Sequence, residues 1–463
     1  MQLLGLGFGL AGAVGGTIGA GILRTPGLVA GLLQQDALIL AAWLAGGLYA
    51  LLGALCVAEL ATAIPLAGGW YVYARRAFGD RAGFTVGWID WLGHCLGVAW
   101  VAMTAGDYTQ ALLPWLQSDP RLVAMISVLL FSGVQWLGLQ AASGSQQLLS
   151  LAKALAFLAL VAACFLVPAA GGNPAPEAIA AQSIQAGPLA ELGWAGLVLV
   201  LVPALQPIIS TYDGWHSPIY FAEEFERPQQ DLPRSLLGGV VAVTAIYLLV
   251  NLALLHVLPL PVLAGSNLPL ADAAAAIIGP AARQVITALA LLSVLGLINA
   301  SLMSAPRVLF GLARDGLFAP PLAWVHQRGT PLPALLITTA TTGLLVLLGD
   351  FSLLLALSAF LYVVLYGSGI AALLWLRHSQ PQLERPFRVW GWPVTPLIVL
   401  VGALAFLLGA LVEDRGPTAW ALLLIAAGWP AQQLSRGLSP LPPAPSAAEP
   451  TAGPARPTAP PPD

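Results

Sequence analysis

Apolar runs follow one another along this chain with so little charge between them that the choice of solvent is nearly settled. A helix needs about 20 mostly apolar residues to cross a bilayer. Twelve segments read as candidate spans: Leu3–Leu33, Ala37–Ile64, Phe84–Leu113, Leu122–Leu139, Leu148–Pro168, Gly193–Phe221, Leu236–Leu258, Ala282–Leu309, Leu335–Leu348, Leu353–Leu376, Val394–Leu411 and Ala419–Leu434. Charged residues make up 8 % of the chain, against about 25 % in a soluble domain. The expected fold is therefore an all-α polytopic membrane protein of about twelve transmembrane helices. Cytosolic enzymes and nucleic-acid binders are excluded, and a net charge of -3 points to no polyanionic partner.

Cation placement gives the orientation. With the N-terminus inside, thirteen of the 18 cations fall on inner loops or the tail, among them Arg75, Arg76, Arg227, Arg307, Arg314, Arg377 and Arg385. The outer loops hold only Arg121, Arg283 and Arg415, and Arg24 and Lys153 lie within spans. Both termini are expected to be cytoplasmic. No basic region precedes the first apolar run, so no cleaved signal peptide is expected. Residues 436–463 are rich in Pro, Ala, Ser and Thr with no apolar face, and read as a disordered tail after a 1–435 transporter domain. The Arg-, Ala- and Leu-rich composition suits a bacterial inner membrane. Cys56, Cys95 and Cys164 all sit inside apolar runs and suggest neither a metal site nor a disulfide framework. No cofactor is expected.

Two spans are poor candidates for straight helices. The first contains Gly15-Gly16-Thr17-Ile18-Gly19-Ala20-Gly21-Ile22, then Arg24, Thr25 and Pro26. Each Gly costs a helix about 1 kcal/mol relative to Ala. Small-xxx-small packing explains pairs of glycines, but Gly12, Gly15, Gly16, Gly19 and Gly21 followed by Pro26 favour an unwound stretch. Gly7 to Gly12 fits GxGxxG, yet no strand precedes it, so it is no dinucleotide site. In the sixth span Pro203 and Pro207 precede Ser210-Thr211-Tyr212-Asp213-Gly214-Trp215-His216. Asp-Gly is a turn signal, and a carboxylate at membrane depth usually marks a pathway or site. Breaks five spans apart suggest an inverted repeat whose half-helix ends meet near the midplane. Half-helix N-termini there suit an anion and freed carbonyls a cation. A zwitterion is the natural ligand for such ends.

At this point the residues resemble the amino acid–polyamine–organocation superfamily of transporters. The likeness rests on Gly19-Ala20-Gly21-Ile22 with Thr25-Pro26-Gly27, on Pro65 to Gly69 with Tyr71 to Gly79, and on Tyr212 to Trp215 with Glu223-Glu224 and Arg227 to Arg234. Ala313 to Gly316 and Arg385 to Arg388 with Pro393 complete it. The resemblance implies a leucine-transporter-like five-plus-five inverted repeat, about 1–170 and 190–378, with two further helices at about 393–435. It also implies alternating-access transport of amino acids or related amines. The substrate carboxylate would meet N–H groups around Ala20, Gly21 and Ile22. The ammonium would meet carbonyls around Thr17, Ile18, Ser210, Thr211 and Asp213, with Gly19, Tyr212 and Gly214 in the same stretches. Many relatives carry an aromatic gate where this chain has Ser210, and small or apolar residues where it has Asp213 and Arg24. That acid and base either bind a polar side chain or pair with each other.

Lys153 is the chain's single lysine among seventeen arginines and lies in the fifth span. Lysine can release its proton, whereas arginine stays charged. By resemblance to sodium-independent members, its ammonium would replace a sodium ion beside the first break. No sodium requirement is expected, and Lys153 would either cycle a proton in symport or act as a fixed charge in exchange. His94, His216 and Asn299, with Arg24, are further candidates for specificity. Glu59 reads as a partner for a neighbouring loop. A membrane-embedded enzyme is the poorer reading, since HExxH, GxSxG and GxGD are absent, and a channel would show repeated charged rings. An ancillary subunit of the kind some relatives have would be bridged through a loop cysteine, and all three cysteines lie within spans, so no obligate ancillary subunit is expected.

Overall fold

The computed structural model describes residues 4–19, 21–116, 119–167, 193–279, 281–349, 351–413 and 415–436. Ala20, the stretch 168–192 between the expected repeats, and the expected tail beyond Arg436 lie outside the described residues. The described chain is helical throughout. Its one extended pairing is an isolated bridge between Leu4 and Phe225.

Every expected span has a helix. The first is a pair, α1 (Leu6–Thr17) and α2 (Gly21–Leu33), whose axes meet at 47°. It is followed by α3 (Asp36–Ala63), a short amphipathic α4 (Trp70–Phe78), α5 (Asp80–Leu112), α6 (Pro120–Trp136) and α7 (Leu139–Leu166). The sixth span is α8 (Gly193–Thr211), an irregular stretch over 212–216, and a 3-10 helix, Ser217–Glu224. Then come α9 (Pro228–Val257), two short helices α10 (Leu260–Gly265) and α11 (Pro269–Ile278), and α12 (Ala282–Arg314). The chain continues through α13 (Leu332–Leu348), α14 (Phe351–Ser379), α15 (Val394–Glu413) and α16 (Arg415–Arg436). Seven of these helices are each long and apolar enough to cross a membrane, and the bent α1–α2 pair makes an eighth. The helices α6 and α13 are shorter apolar segments.

The fifth span begins nine residues before its expected start at Leu148. The polar run Ser143 to Gln147 does not end the helix, and its Ser143 and Gln146 face inward. Along α7, Gln146, Ser150, Lys153 and Phe157 form one buried stripe, while Leu148, Leu151, Leu155 and Leu158 are exposed on the other side. The spacing is that of a helix face, with the apolar side turned to lipid. Likewise α9 starts at Pro228, a residue suited to the first helical turn.

Ion pairs gather at the cation-rich end of the bundle. Glu59, 1 % exposed, receives Arg377 through Nε and Nη2 at 2.6 Å each, Arg385 Nε at 3.2 Å and the Val389 N–H at 2.7 Å. Its expected role as a partner for a loop fits this placement. Arg307 bonds Glu224 at 2.9 Å, Arg314 bonds Glu223 at 2.8 Å, and Arg75 bonds Asp315 at 2.6 Å. These pairs tie α12 to the 3-10 helix and to α4.

Candidate functional site

The first break forms because α1 has nowhere favourable to continue. Thr17 turns its hydroxyl back to Ala13 O at 2.8 Å, and Ile18 takes an extended conformation with φ -71 and ψ 102. The helix resumes at Gly21. The second break passes through Gly214 at φ +106, a left-handed conformation that favours glycine. The two breaks touch. A Cβ on Gly16 would lie 2.8 Å from Gly214 O, and one on Gly214 would run into Gly16 O. Thr25 and Thr211 join the halves beyond the breaks through their hydroxyls at 2.9 Å.

A cavity of about 880 Å³ lies against both breaks. Thr17, Gly19, Gly21, Ser210, Thr211, Tyr212, Asp213 and Gly214, all expected at the site, line it, and so does Gly16. So do Arg24, His94 and His216. Ile18 and Ile22 are fully buried beside it, and Ala20 is outside the described residues. Exposed lining residues such as Arg24, Leu28 and Ser210 belong to α2 and α8, beyond the breaks. Toward the cation-rich end the lining residues Trp70, His216, Tyr220 and Ser304 are buried. The structure is thus open on the α2–α8 side and shut on the other.

Several carbonyls expected to face an ammonium already have donors from the protein. The Tyr247 hydroxyl on α9 lies 3.0 Å from Thr17 O and 3.1 Å from Thr211 O, bridging the two breaks. Lys153, with no exposed surface, donates from Nζ to Gly15 O at 2.9 Å and Ile18 O at 3.0 Å. An ammonium suits this place twice over: the free carbonyls at the end of α1 accept its protons, and the helix dipole is negative there. Each carbonyl oxygen has two lone pairs, so a ligand shares these acceptors rather than finding them free. Tyr247 is not legible in the sequence, where it is one aromatic in an apolar span.

The acid and base are not paired with each other. Asp213 accepts from the Tyr366 hydroxyl, which also meets His216 Nδ1 at 2.9 Å. Since the hydroxyl has one proton, His216 donates from Nδ1 to Tyr366 while Tyr366 donates to Asp213. Arg24 faces Asp107 and Tyr108 on α5. His94 lies with Nδ1 2.9 Å from Asp90 O, and Asp90 Oδ1 also accepts from the Tyr220 hydroxyl at 2.8 Å. Asn299 is not on the cavity wall. It sits in a buried amide network, accepting from Gln135 at 2.8 Å and donating to Gln146 Oε1 at 2.9 Å. Among the described residues no cluster of three or more His, Cys, Asp or Glu could hold a metal ion.

A family model described as amino acid permease matches residues 4–429. The serine/threonine exchanger SteT of Bacillus subtilis (strain 168) is 28 % identical over 435 residues, covering 92 % of this chain and 95 % of that protein. The large neutral amino acids transporter small subunit 2 of Homo sapiens is 32 % identical over 384 residues, covering 81 % and 70 %. The Asc-type amino acid transporter 1 of Mus musculus is 29 % identical over 426 residues, covering 90 % and 78 %.

Proposed function

The chain belongs to the amino acid permease family, and on that footing we propose that it is a sodium-independent secondary transporter of amino acids or related amines, working by alternating access as a proton-coupled symporter or an exchanger. The observation that carries the reading is the Lys153 ammonium, bonded to Gly15 O and Ile18 O behind the first break. A fixed cation there supplies the charge that a sodium ion would otherwise supply. The ligand is a zwitterion at the joined breaks. Its carboxylate meets backbone N–H groups around Ala20, Gly21 and Ile22. Its ammonium shares the carbonyls around Thr17, Ile18, Ser210, Thr211 and Asp213.

Asp213 and Arg24 then face the substrate side chain, with His94 and His216 on the same cavity wall. A second reading follows from Asp213, which meets Tyr366 and His216, neither of them a permanent cation. On that reading the substrate is an organic cation such as a polyamine or a modified amino acid. The site lies in an integral membrane protein of the bacterial inner membrane, with both termini cytoplasmic and the repeats at about 1–170 and 190–378. On this orientation the cavity opens outward. The human relative is by name a small subunit. Here Cys56, Cys95 and Cys164 are all buried, which supports action without a disulfide-linked partner.

The test is a thermal-shift screen against the twenty amino acids and common polyamines, with and without sodium, followed by counterflow in proteoliposomes. A ligand at a hundred times its Kd stabilises the folded state by about 2.7 kcal/mol. A shift with one amino acid class, unchanged by sodium, and accelerated uptake into preloaded vesicles are expected. A shift that needs sodium overturns the coupling assignment. A shift with polyamines alone selects the second reading.

A further inference from the structure

We propose that Gly296 is a positioning residue for Lys153: it leaves open, on the face of α12, the slot in which the lysine's end lies while its ammonium holds the first break. The inference rests on the reading of Lys153 as the coupling cation and adds the residue through which a second helix acts on it.

The geometry is direct. A Cβ built on Gly296 would run into Lys153 Cε and lie 2.6 Å from Lys153 Nζ, with Leu149 Cβ at 3.6 Å. No side chain other than hydrogen leaves the ammonium where it is. Nor can the ammonium step aside cheaply, because both bonds to Gly15 O and Ile18 O, at 2.9 and 3.0 Å, depend on its place. Lys153 has no exposed surface, so a displaced ammonium does not reach water. Glycine is a poor helix former, yet this one lies well inside the 33-residue α12, with φ outside the left-handed range. Backbone conformation therefore does not require it, and the close approach of Lys153 does.

Three elements consequently meet at one point. Lys153 belongs to α7, its ammonium holds the end of α1, and its terminal methylene rests on α12. A movement of α12 relative to α1 must bend or release the lysine. The slot converts helix position into ammonium position, which is what a coupling residue on a third helix has to sense.

The experiment is a double-mutant cycle in the full chain, with Gly296→Ala, Lys153→Ala and both together. Two readouts are taken: thermal unfolding of purified protein without ligand, and exchange of a labelled mixture of the twenty L-amino acids in proteoliposomes. In the wild-type background Gly296→Ala is expected to lower the unfolding temperature and slow exchange at least tenfold. In the Lys153→Ala background, where the slot is empty, the same substitution is expected to leave the unfolding temperature unchanged or raise it. An equal drop in both backgrounds would show that Gly296 serves packing unrelated to Lys153 and would overturn the proposal, as would wild-type exchange and stability of Gly296→Ala. If the wild-type protein exchanges none of the mixture, the amino acid reading fails by itself, and the unfolding cycle still decides whether the slot exists.

Discussion

At the residue scale, burial without a water partner makes single hydroxyls and ammonium groups decisive. Removing one partner of a buried hydrogen bond costs about 1–3 kcal/mol. Lys153→Met removes a donor to two carbonyls at the end of α1. We expect it to weaken substrate binding by about 10- to 100-fold, the equivalent of about 1.4–3 kcal/mol, read as loss of the thermal shift. Tyr247→Phe removes the hydroxyl shared by Thr17 O and Thr211 O. A rise in Kd of about tenfold is expected on the same grounds, with the fold intact because the ring still packs between Trp43 and Tyr212. The value of Lys153 is visible in the sequence, as one lysine among seventeen arginines. That of Tyr247 is not, since only folding brings α9 behind both breaks.

At the element scale, the glycines divide by what they touch. Gly214 adopts φ +106 and lies against the backbone of Gly16. Gly214→Ala is expected to abolish exchange, because the added carbon meets backbone, which cannot turn aside as a side chain can. Gly144, within α7, has nothing within 4 Å of where its Cβ would be. Gly144→Ala is therefore expected to leave exchange unchanged and to raise stability by up to about 1 kcal/mol, measured by thermal unfolding. Composition counts both positions simply as glycine. It cannot separate a glycine required by a backbone contact from one that is merely tolerated. Helix limits follow the same logic: the polar run Ser143 to Gln147 looks like a boundary, but α7 continues through it with Ser143 and Gln146 on its buried side.

At the scale of the whole molecule, one end of the cavity is sealed by aromatic rings and by the charge pairs beneath them. Trp70, Tyr220 and His216 are buried there, and Tyr366 stacks on Trp215 with centroids 6.0 Å apart. Glu59 binds α14 and the loop before α15 to α3 through Arg377, Arg385 and the Val389 N–H. Glu59→Gln takes the carboxylate from the half-buried Arg377 and the buried side chain of Arg385. Removing one partner of a buried ion pair costs about 3–5 kcal/mol, so the substitution is expected to lower thermal stability markedly. Glu224→Gln frees Arg307 from its bond across to the 3-10 helix. It is expected to make a cysteine introduced at Ser304 more reactive to a water-soluble maleimide, by loosening the closed end. Unchanged labelling would show that the aromatic layer alone holds that end shut.

The solvent, the helical class, the order of the spans and the place of both breaks are all legible along the chain. Each of these is written locally: in apolar length, in charge asymmetry, and in the cost of Gly, Pro and Asp inside a helix. Who partners whom is settled only by packing. Asn299 joins a buried amide network rather than the cavity wall, and Arg24 and Asp213 find separate partners instead of each other. Tyr247 bridges two breaks that lie far from it in the chain. A buried polar group must be satisfied wherever the packing places it. Which partner it meets depends on how the helices cross, and that is a property of the whole assembly rather than of any one segment.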